Sequence, residues 1–204
     1  MSQQQRPNTN QVEKNVYVLT LRMSGEIDGA MQELRSRWFP KERNKVPAHI
    51  TLFHALPGSK MEEISDWLEG LSRRMRCFDV STGRVLKRKT GVAVAVGDGA
   101  KEIKRVFACL RADWLEWLSV QDRSLSAHWT VQNKELDKER VEEAFRNVLQ
   151  CEEVRGQATG LVLWRYKDDG TWSLEKEFGF ADNGMIKEDS GAVQEIEDDN
   201  GKRS

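Results

Sequence analysis

The sequence predicts an α+β fold of two pseudo-symmetric lobes, with antiparallel-rich sheets lining a central cleft and helices outside. Three observations predict this fold: strand and helix patterns alternate along the chain, they recur in the same order in both halves, and two short segments nearly coincide letter by letter. The segments are TGRVLKR at 82–88 and TGLVLWR at 159–165. With only two copies, the repeat indicates an internal duplication rather than a solenoid.

The first half of the chain reads as strand, helix, strand, helix, strand. Residues 16–21 are rich in Val, Tyr and Leu, which is typical of a strand. Apolar residues then recur three and four positions apart, which predicts an amphipathic helix that ends before Pro40. A second strand is expected at about 48–55, a second helix at about 61–75, and a third strand near 78–87.

The second half repeats this order. The patterns predict strands at 92–96, at about 127–132 and at 159–166, separated by two amphipathic helices. An Asp-Gly turn then leads into a return strand at 172–178. We therefore expect a bilobal domain at 14–182, with a first lobe at about 14–90 and a second at about 91–182. Residues 1–13 and an acidic tail at 183–204 are expected to be disordered.

Composition limits the possible classes of protein. The chain has 204 residues, of which 38% are hydrophobic and 32% charged, so it can bury a core. Its formal net charge of -1 gives no strong field that would attract nucleic acid. No apolar run approaches the roughly 20 residues that span a membrane, and the polar start is unlike a signal peptide. We expect a cytoplasmic or nuclear monomer without membrane contact.

Two of the three histidines begin the same pattern, HITL at 49–52 and HWTV at 128–131. Each pattern lies in a β-branched, apolar run, and side chains two apart on a strand share one face. His49 and Thr51 therefore share a face, as do His128 and Thr130, while the alternate residues point into a core. In a duplicated fold, the two strands are expected to meet at the central cleft.

An imidazole exchanges a proton near neutral pH, so two of them can act as general acid and general base in one reaction. Threonine hydroxyls beside them can donate hydrogen bonds to oxygens that gather negative charge. The residues do not tell which histidine is the acid.

Two H-x-T-x motifs, one in each half of a duplicated α+β chain, resemble the 2H phosphoesterase superfamily. The similarity is greatest to its 2′-5′ RNA ligase and cyclic phosphodiesterase-like group, and it covers roughly residues 15–180. The resemblance implies a bilobal fold and a metal-free mechanism on ribose-linked phosphates. It also implies that His49 and His128 are catalytic and that Thr51 and Thr130 bind the phosphate.

The expected function is a metal-independent phosphoesterase that acts on RNA ends or small nucleotides, hydrolysing a 2′,3′-cyclic phosphate or a 2′-5′ phosphodiester. An ATP-independent 2′-5′ RNA ligase and a non-catalytic module that binds RNA ends are the alternatives. We expect no cofactor and no metal, since the chain has neither a phosphate-cradling glycine loop nor a cluster with metal-ligand spacing.

Further residues are candidates for substrate binding. Phe53 and Gln132 have the strand parity of their histidine and are expected to extend the cleft floor, although core packing suits Phe53 equally. His54 has the opposite parity, which predicts a structural role away from the cleft. The remaining candidates are the aromatic residues around the Asp-Gly turn and a basic group on equivalent strands: Trp164, Tyr166, Trp172, Arg84, Lys87, Arg88, Lys89 and Arg165.

Overall fold

The computed structural model describes residues 6–182, which form four α-helices and a seven-stranded antiparallel sheet. This confirms the predicted α+β class. The strands are β1 (Val16–Met23), β2 (Thr51–Pro57), β3 (Phe78–Arg88), β4 (Gly91–Val96), β5 (His128–Gln132), β6 (Arg155–Tyr166) and β7 (Trp172–Gly179). The helices are α1 (Gly25–Trp38), α2 (Met61–Arg74), α3 (Ala100–Trp114) and α4 (Lys138–Leu149). The predicted acidic tail lies outside the described residues.

The strand order is β2-β1-β6-β3-β4-β5, and β7 adds to β6. The long strand β6 pairs with β1 and β7 along most of its length, while its first residues pair with β3. All of these ladders are antiparallel. The sheet therefore has one continuous path with β2 at one end and β5 at the other.

The third strand of each sequence half pairs with the first strand of the other half. β3 pairs with β4, and β6 pairs with β1. The sequence repeat divides the chain near residue 90. The strand pairs β3–β4 and β1–β6, however, each join one half of the chain to the other.

The two end strands of the path approach each other and define the cleft. A single antiparallel bridge joins Ile50, just before β2, to Trp129 in β5. Both side chains are essentially inaccessible to solvent, which anchors the approach in the core. Burying a large apolar side chain contributes about 1.5–3 kcal/mol, so the two strands are firmly held at this point.

Amphipathic helices cover the sheet as their periodicity predicts. In α1 the apolar stripe of Ile27, Met31 and Trp38 is buried, and in α3 the stripe includes Ile103 and Trp114. These residues belong to one core cluster that includes both ends of the sheet path.

The segment that precedes β1 contacts this folded body. Asn8 donates from its main-chain nitrogen to the Trp117 oxygen at 2.9 Å, and Glu13 accepts hydrogen bonds from Ser59. Both Asn8 and Glu13 lie in the stretch where disorder was expected. Among residues 6–182, no helix is both long and apolar enough to cross a membrane.

Candidate functional site

The two histidine strands carry matching irregularities. In β2, Thr51 pairs with Thr20 while Phe53 pairs with Leu19, so β2 has one extra residue between these pairs. In β5 there is likewise one extra residue between Thr130 and Gln132, whose partners are consecutive residues of β4. An extra residue of this kind is a β-bulge, which changes the face that the following side chains occupy.

A cavity of about 580 Å³ lies where the two strands meet. The histidine and the threonine of each motif line this cavity. Residues of β7, of the loop before β5 and of the segment after β5 also line it. The lining residues are His49, Thr51, Leu52, His54, Arg88, Gln121, Ser124, Leu125, Ser126, His128, Thr130, Gln132, Asn133, Lys134 and Trp172.

The bridge between Ile50 and Trp129 sets the register of the motifs. In this antiparallel register His49 lies opposite Thr130, and Thr51 lies opposite His128. Directly opposed residues have Cβ atoms about 4.5–5.5 Å apart. Each histidine therefore lies across from the threonine of the other motif, and all four side chains line the same cavity.

Both imidazoles are oriented in the same way. His49 Nδ1 lies 2.7 Å from the Pro47 oxygen, and His128 Nδ1 lies 2.5 Å from the Ser126 oxygen. Because a main-chain carbonyl only accepts hydrogen bonds, Nδ1 must carry the proton in each ring. In the neutral form, Nε2 is then left as a base that faces the cavity.

Burial lowers the pKa of His49 to about 4. The hydrogen bond to Pro47 works in the opposite direction, while the positive charges of Arg35, His54 and His128 lower the pKa further. This histidine is therefore neutral at pH 7 in the free protein.

The pKa of His128 is lowered as well, again mainly by burial. Its hydrogen bond to Ser126 opposes this, and the charges of Arg88 and His54 add to the lowering. Arg88 Nη2 lies 3.4 Å from His128 Nε2, so the guanidinium borders the ring nitrogen that does not bond to Ser126.

Trp172 lies against the other histidine. The ring centroids of Trp172 and His49 are 4.6 Å apart, with the planes tilted by 49°. Trp172 begins β7, directly after the Asp-Gly turn, and Lys45 holds that turn by donating to the Asp169 oxygen at 2.5 Å. Of the aromatic candidates around the turn, Trp172 is therefore the one that reaches the cavity.

A buried arginine lies behind the site. Arg35 of α1 is 3% exposed and donates to the Thr130 oxygen, to the Val46 oxygen and to Asn44 Oδ1. Burial lowers the pKa of Arg35 to about 10, so the guanidinium is charged at neutral pH. Helical periodicity gives no reason to single this residue out, because all three of its partners lie outside its helix.

Of the two roles expected for Phe53, core packing is the one that the structure shows, and the expected place on the cleft floor is wrong. Phe53 is fully buried and packs on Phe107 and Trp114, with ring centroids 4.9 and 5.2 Å away. The physical reason is the β-bulge after Thr51, which turns the side chain into the core.

The prediction that His54 lies away from the cleft is also wrong, because the same bulge turns this side chain into the cavity. Its Nδ1 lies 2.9 Å from Oδ1 of Asp122, a carboxylate that is 0% exposed. Strict alternation from His49 would have placed this ring on the opposite face of the strand. His54 is therefore a third imidazole in the cleft, and Asp122 orients it.

The two remaining substrate candidates on β6 do not line the cavity. Tyr166 borders a different pocket beside Arg6 and Pro7, and Arg165 is exposed on β6. Arg165 pairs with Tyr17 of β1 and with Ser173 of β7, while Tyr166 pairs with the cavity residue Trp172 without lining the cavity itself.

Gln132, in contrast, lines the cavity and is only 1% exposed. Neither atom of its side-chain amide has a hydrogen-bond partner among the residues that the structure describes. A buried, unpaired amide is costly, which is consistent with a site that is completed by a ligand.

The predicted basic group divides between two places. Arg88 lines the histidine cavity, whereas Lys87 pairs with Glu142 and Arg84 borders a larger cavity of about 710 Å³ between α1, β3 and α4. That larger cavity contains no histidine among its described lining residues, whereas the smaller one contains three. Within residues 6–182, no cluster of three or more His, Cys, Asp or Glu side chains could hold a metal ion.

A sequence profile of the 2′-5′ RNA ligase superfamily matches residues 24–170, which is well over half of the chain. The matched region runs from α1 to the turn before β7 and includes both histidine motifs. No curated protein sequence matches the chain at a significant level.

Solved structures share the fold at low sequence identity. TT0787 of Thermus thermophilus superposes with a TM-score of 0.58 at 16% identity, covering 82% of this chain and 99% of that one. E. coli LigT complexed with 3′-AMP gives a TM-score of 0.59 at 12% identity, covering 82% and 98%. LigT complexed with phosphate gives 0.56 at 13%, covering 83% and 99%.

Proposed function

Because the chain belongs to the 2′-5′ RNA ligase superfamily, we propose that it is a metal-independent phosphoesterase that acts on RNA ends or small nucleotides. The favoured reactions are hydrolysis of a 2′,3′-cyclic phosphate and cleavage of a 2′-5′ phosphodiester. One observation carries the proposal: His49 and His128 line a single cavity, and a main-chain carbonyl accepts from Nδ1 of each ring, so proton exchange falls to Nε2. Nε2 of His128 also lies 3.4 Å from Arg88 Nη2.

In the proposed hydrolysis of a 2′,3′-cyclic phosphate, the Nε2 atoms of His49 and His128 take up and release the protons. A water attacks phosphorus while its proton passes to the Nε2 of a neutral imidazole. The bond from phosphorus to one ribose oxygen breaks, and that oxygen takes a proton from the other ring, which begins as imidazolium. General acid and general base steps of this kind each contribute roughly 10²–10⁴-fold.

The pKa shifts favour one assignment of roles. The larger lowering falls on His49, which makes it the ring that stays neutral and suits it to be the base in the hydrolytic direction. His128 then supplies the proton to the leaving oxygen. In ligation a 5′-hydroxyl would replace water as the nucleophile, so the two residues would keep these roles. In cleavage of a 2′-5′ phosphodiester, which is the reverse of ligation, they would exchange them.

The other cavity residues suit the charge of the substrate. The hydroxyls of Thr51 and Thr130 can donate to the non-bridging phosphate oxygens, where negative charge develops. Arg88 and Lys134 add fixed positive charge to the lining. E. coli LigT, which shares the fold, has been crystallised with 3′-AMP and with phosphate, and this supports a nucleotide phosphate as the ligand class.

The test uses substitutions that remove only the proposed reactive nitrogen. In His49→Asn and His128→Asn the amide nitrogen can replace Nδ1 as donor to the carbonyl, while nothing replaces Nε2. We expect each variant to lose roughly 10²–10⁴-fold in kcat on a 2′,3′-cyclic nucleotide, with chelator present throughout. Arg73→Ala, on the exposed surface of α2, is the control and should keep full activity.

Near-wild-type turnover by either histidine variant would contradict the two-histidine scheme, and loss of activity on adding chelator would contradict metal independence. The alternatives have their own signatures. A ligase would join ends that carry a 2′,3′-cyclic phosphate and a 5′-hydroxyl without ATP. A binding module would retain affinity for these ends and turn over none of the substrates.

A further inference from the structure

We propose that His54 is a third substrate-contacting residue, which binds a second phosphate of the substrate beside the reacting one. This inference rests on the proposed function and narrows its substrate class to nucleotides that carry a further phosphate, such as oligonucleotide ends. His54 carries no role in the two-histidine mechanism, and its place in the cleft follows from the β-bulge in β2.

The position of His54 is fixed from behind. Asp122 Oδ1 accepts from the His54 main-chain nitrogen at 2.7 Å and from Nδ1 at 2.9 Å. Asp122 Oδ2 accepts from the Ala55 nitrogen and from Ser119 Oγ, both at 2.9 Å. These four bonds hold a fully buried carboxylate and set the ring orientation, so Nε2 is the nitrogen available to the cavity.

The ring is accessible as well as oriented. The His54 side chain is 42% exposed and lines the same cavity as His49 and His128. His54 therefore faces the same space as the two proposed catalytic rings.

The charges around the cavity favour an anion. Among its described lining residues there are two fixed cations, Arg88 and Lys134, and three imidazoles, but no aspartate or glutamate. The carboxylate that contacts His54, Asp122, lies behind the ring and does not line the cavity. A cavity of about 580 Å³ also exceeds what one phosphate fills and falls in the range of nucleotide-sized ligands.

The antiparallel directions of β2 and β5 separate the two further groups that can bind an anion, His54 and Lys134. β2 and β5 are antiparallel at the Ile50–Trp129 bridge, so His54 and Lys134 lead away from the central histidine pair in opposite directions. A phosphate held between His49 and His128 therefore has an anion-binding group on each side. His54 is the better positioned of the two because buried bonds fix its ring, whereas Lys134 is exposed and carries its charge on a long, flexible stem.

The proposed contact needs the imidazolium form. Protonated at both nitrogens, the ring donates Nδ1–H to Asp122 and Nε2–H to a phosphate oxygen, so two anionic groups flank one positive charge. Hydrogen bonds to charged groups of this kind are among the strong ones, and one corresponds to about tenfold or more in affinity.

The experiment compares two substrates that differ only in the second phosphate: adenosine 2′,3′-cyclic phosphate with and without a 5′-phosphate. For the wild type we expect kcat/KM to be about tenfold higher with the 5′-phosphate. In His54→Asn, whose amide can keep the bond to Asp122 but which lacks Nε2, the ratio should fall to about one. The unfolding midpoint of the variant should stay close to that of the wild type.

Three outcomes would overturn the proposal: no preference in the wild type, an equal loss on both substrates in His54→Asn, or loss of the preference in Lys134→Ala with His54→Asn unaffected. The last would place the second phosphate at the opposite end of the cleft. Failure of the proposed function is recognised separately, because the wild type would turn over neither compound. Binding of adenosine 3′-phosphate and adenosine 3′,5′-bisphosphate, measured by calorimetry, then gives the same comparison without turnover.

Discussion

The guanidinium of Arg35 donates a hydrogen bond from Nη1 to the main-chain oxygen of Thr130 at 2.7 Å. From Nε it also bonds to the oxygen of Val46, which lies shortly before His49 in the chain. One buried side chain of α1 thus links the backbone of the second histidine motif to the segment that leads into the first. A rigid link of this kind keeps a constellation of side chains in register.

We expect Arg35→Met to lower the free energy of unfolding by about 2–4 kcal/mol, because it leaves buried carbonyl groups without donors. It should also raise the pKa of His49, since a positive charge that lowers this pKa is removed. Urea unfolding measures the first effect, and the acidic limb of the kcat/KM profile measures the second. Arg37→Met on the exposed face of α1 is the control, and an equal loss there would contradict the assignment.

The pH dependence follows from the direction of the two histidine shifts. The reactive form needs one neutral and one protonated imidazole, and both pKa values lie below the ordinary 6.5, with His49 at about 4. Because kcat/KM reports the free enzyme, it should peak on the acid side of 6.5 and decline as the pH rises further. A profile from about pH 4 to about pH 9 checks this, and a maximum above neutrality would refute the assignment of these pKa values.

The indole ring of Trp172 should help to keep the pKa of His49 low by burying the imidazole. We expect Trp172→Ala to expose His49, raise its pKa toward 6.5, and lower kcat/KM, since the main cause of the shift is burial. The acidic limb would then move to higher pH. Trp172→Phe, which retains an aromatic ring, should keep most of the shift. If Ala and Phe variants gave the same profile, contact with the ring would not control His49.

Gly91 controls how closely β4 approaches the second histidine strand. A Cβ at this position would lie 1.9 Å from the Gln132 main-chain oxygen, and neither backbone can yield without breaking the ladder between β4 and β5. We expect Gly91→Ala to destabilise the fold by several kcal/mol, on the order of other strained backbone substitutions, and to reduce activity. Gly29→Ala in α1, which meets nothing within 4 Å, should be neutral or slightly stabilising.

In the two histidine strands, periodicity was sufficient to predict which face each side chain occupies, as far as the β-bulges. Alternation correctly placed His49 and Thr51 on one face and Ile50 on the other, and the same holds for the second motif. It failed at Phe53 and His54, which exchange faces because one extra residue enters β2. A bulge is defined by pairing with a neighbouring strand, here β1, and no pattern within β2 reveals it.

The sequence also could not predict the residues whose partners are brought near only by folding. Arg35 lies in a helix whose polar positions all resemble one another, and Asp122 lies in a short turn with no motif around it. Their importance comes from partners that only the folded chain brings near, Thr130 for one and His54 for the other. The repeat indicated two lobes, but not that β3 and β6 pair outside their own halves.

That reciprocal pairing has a consequence for how the chain can be divided. A fragment ending near residue 90 would carry β3 without β4 and would lack β6, the neighbour of its own first strand. Two such fragments would have to complement each other before either could be complete. A lone copy of the repeated unit could reach this arrangement only as a strand-swapped pair, and covalent fusion makes that pairing intramolecular.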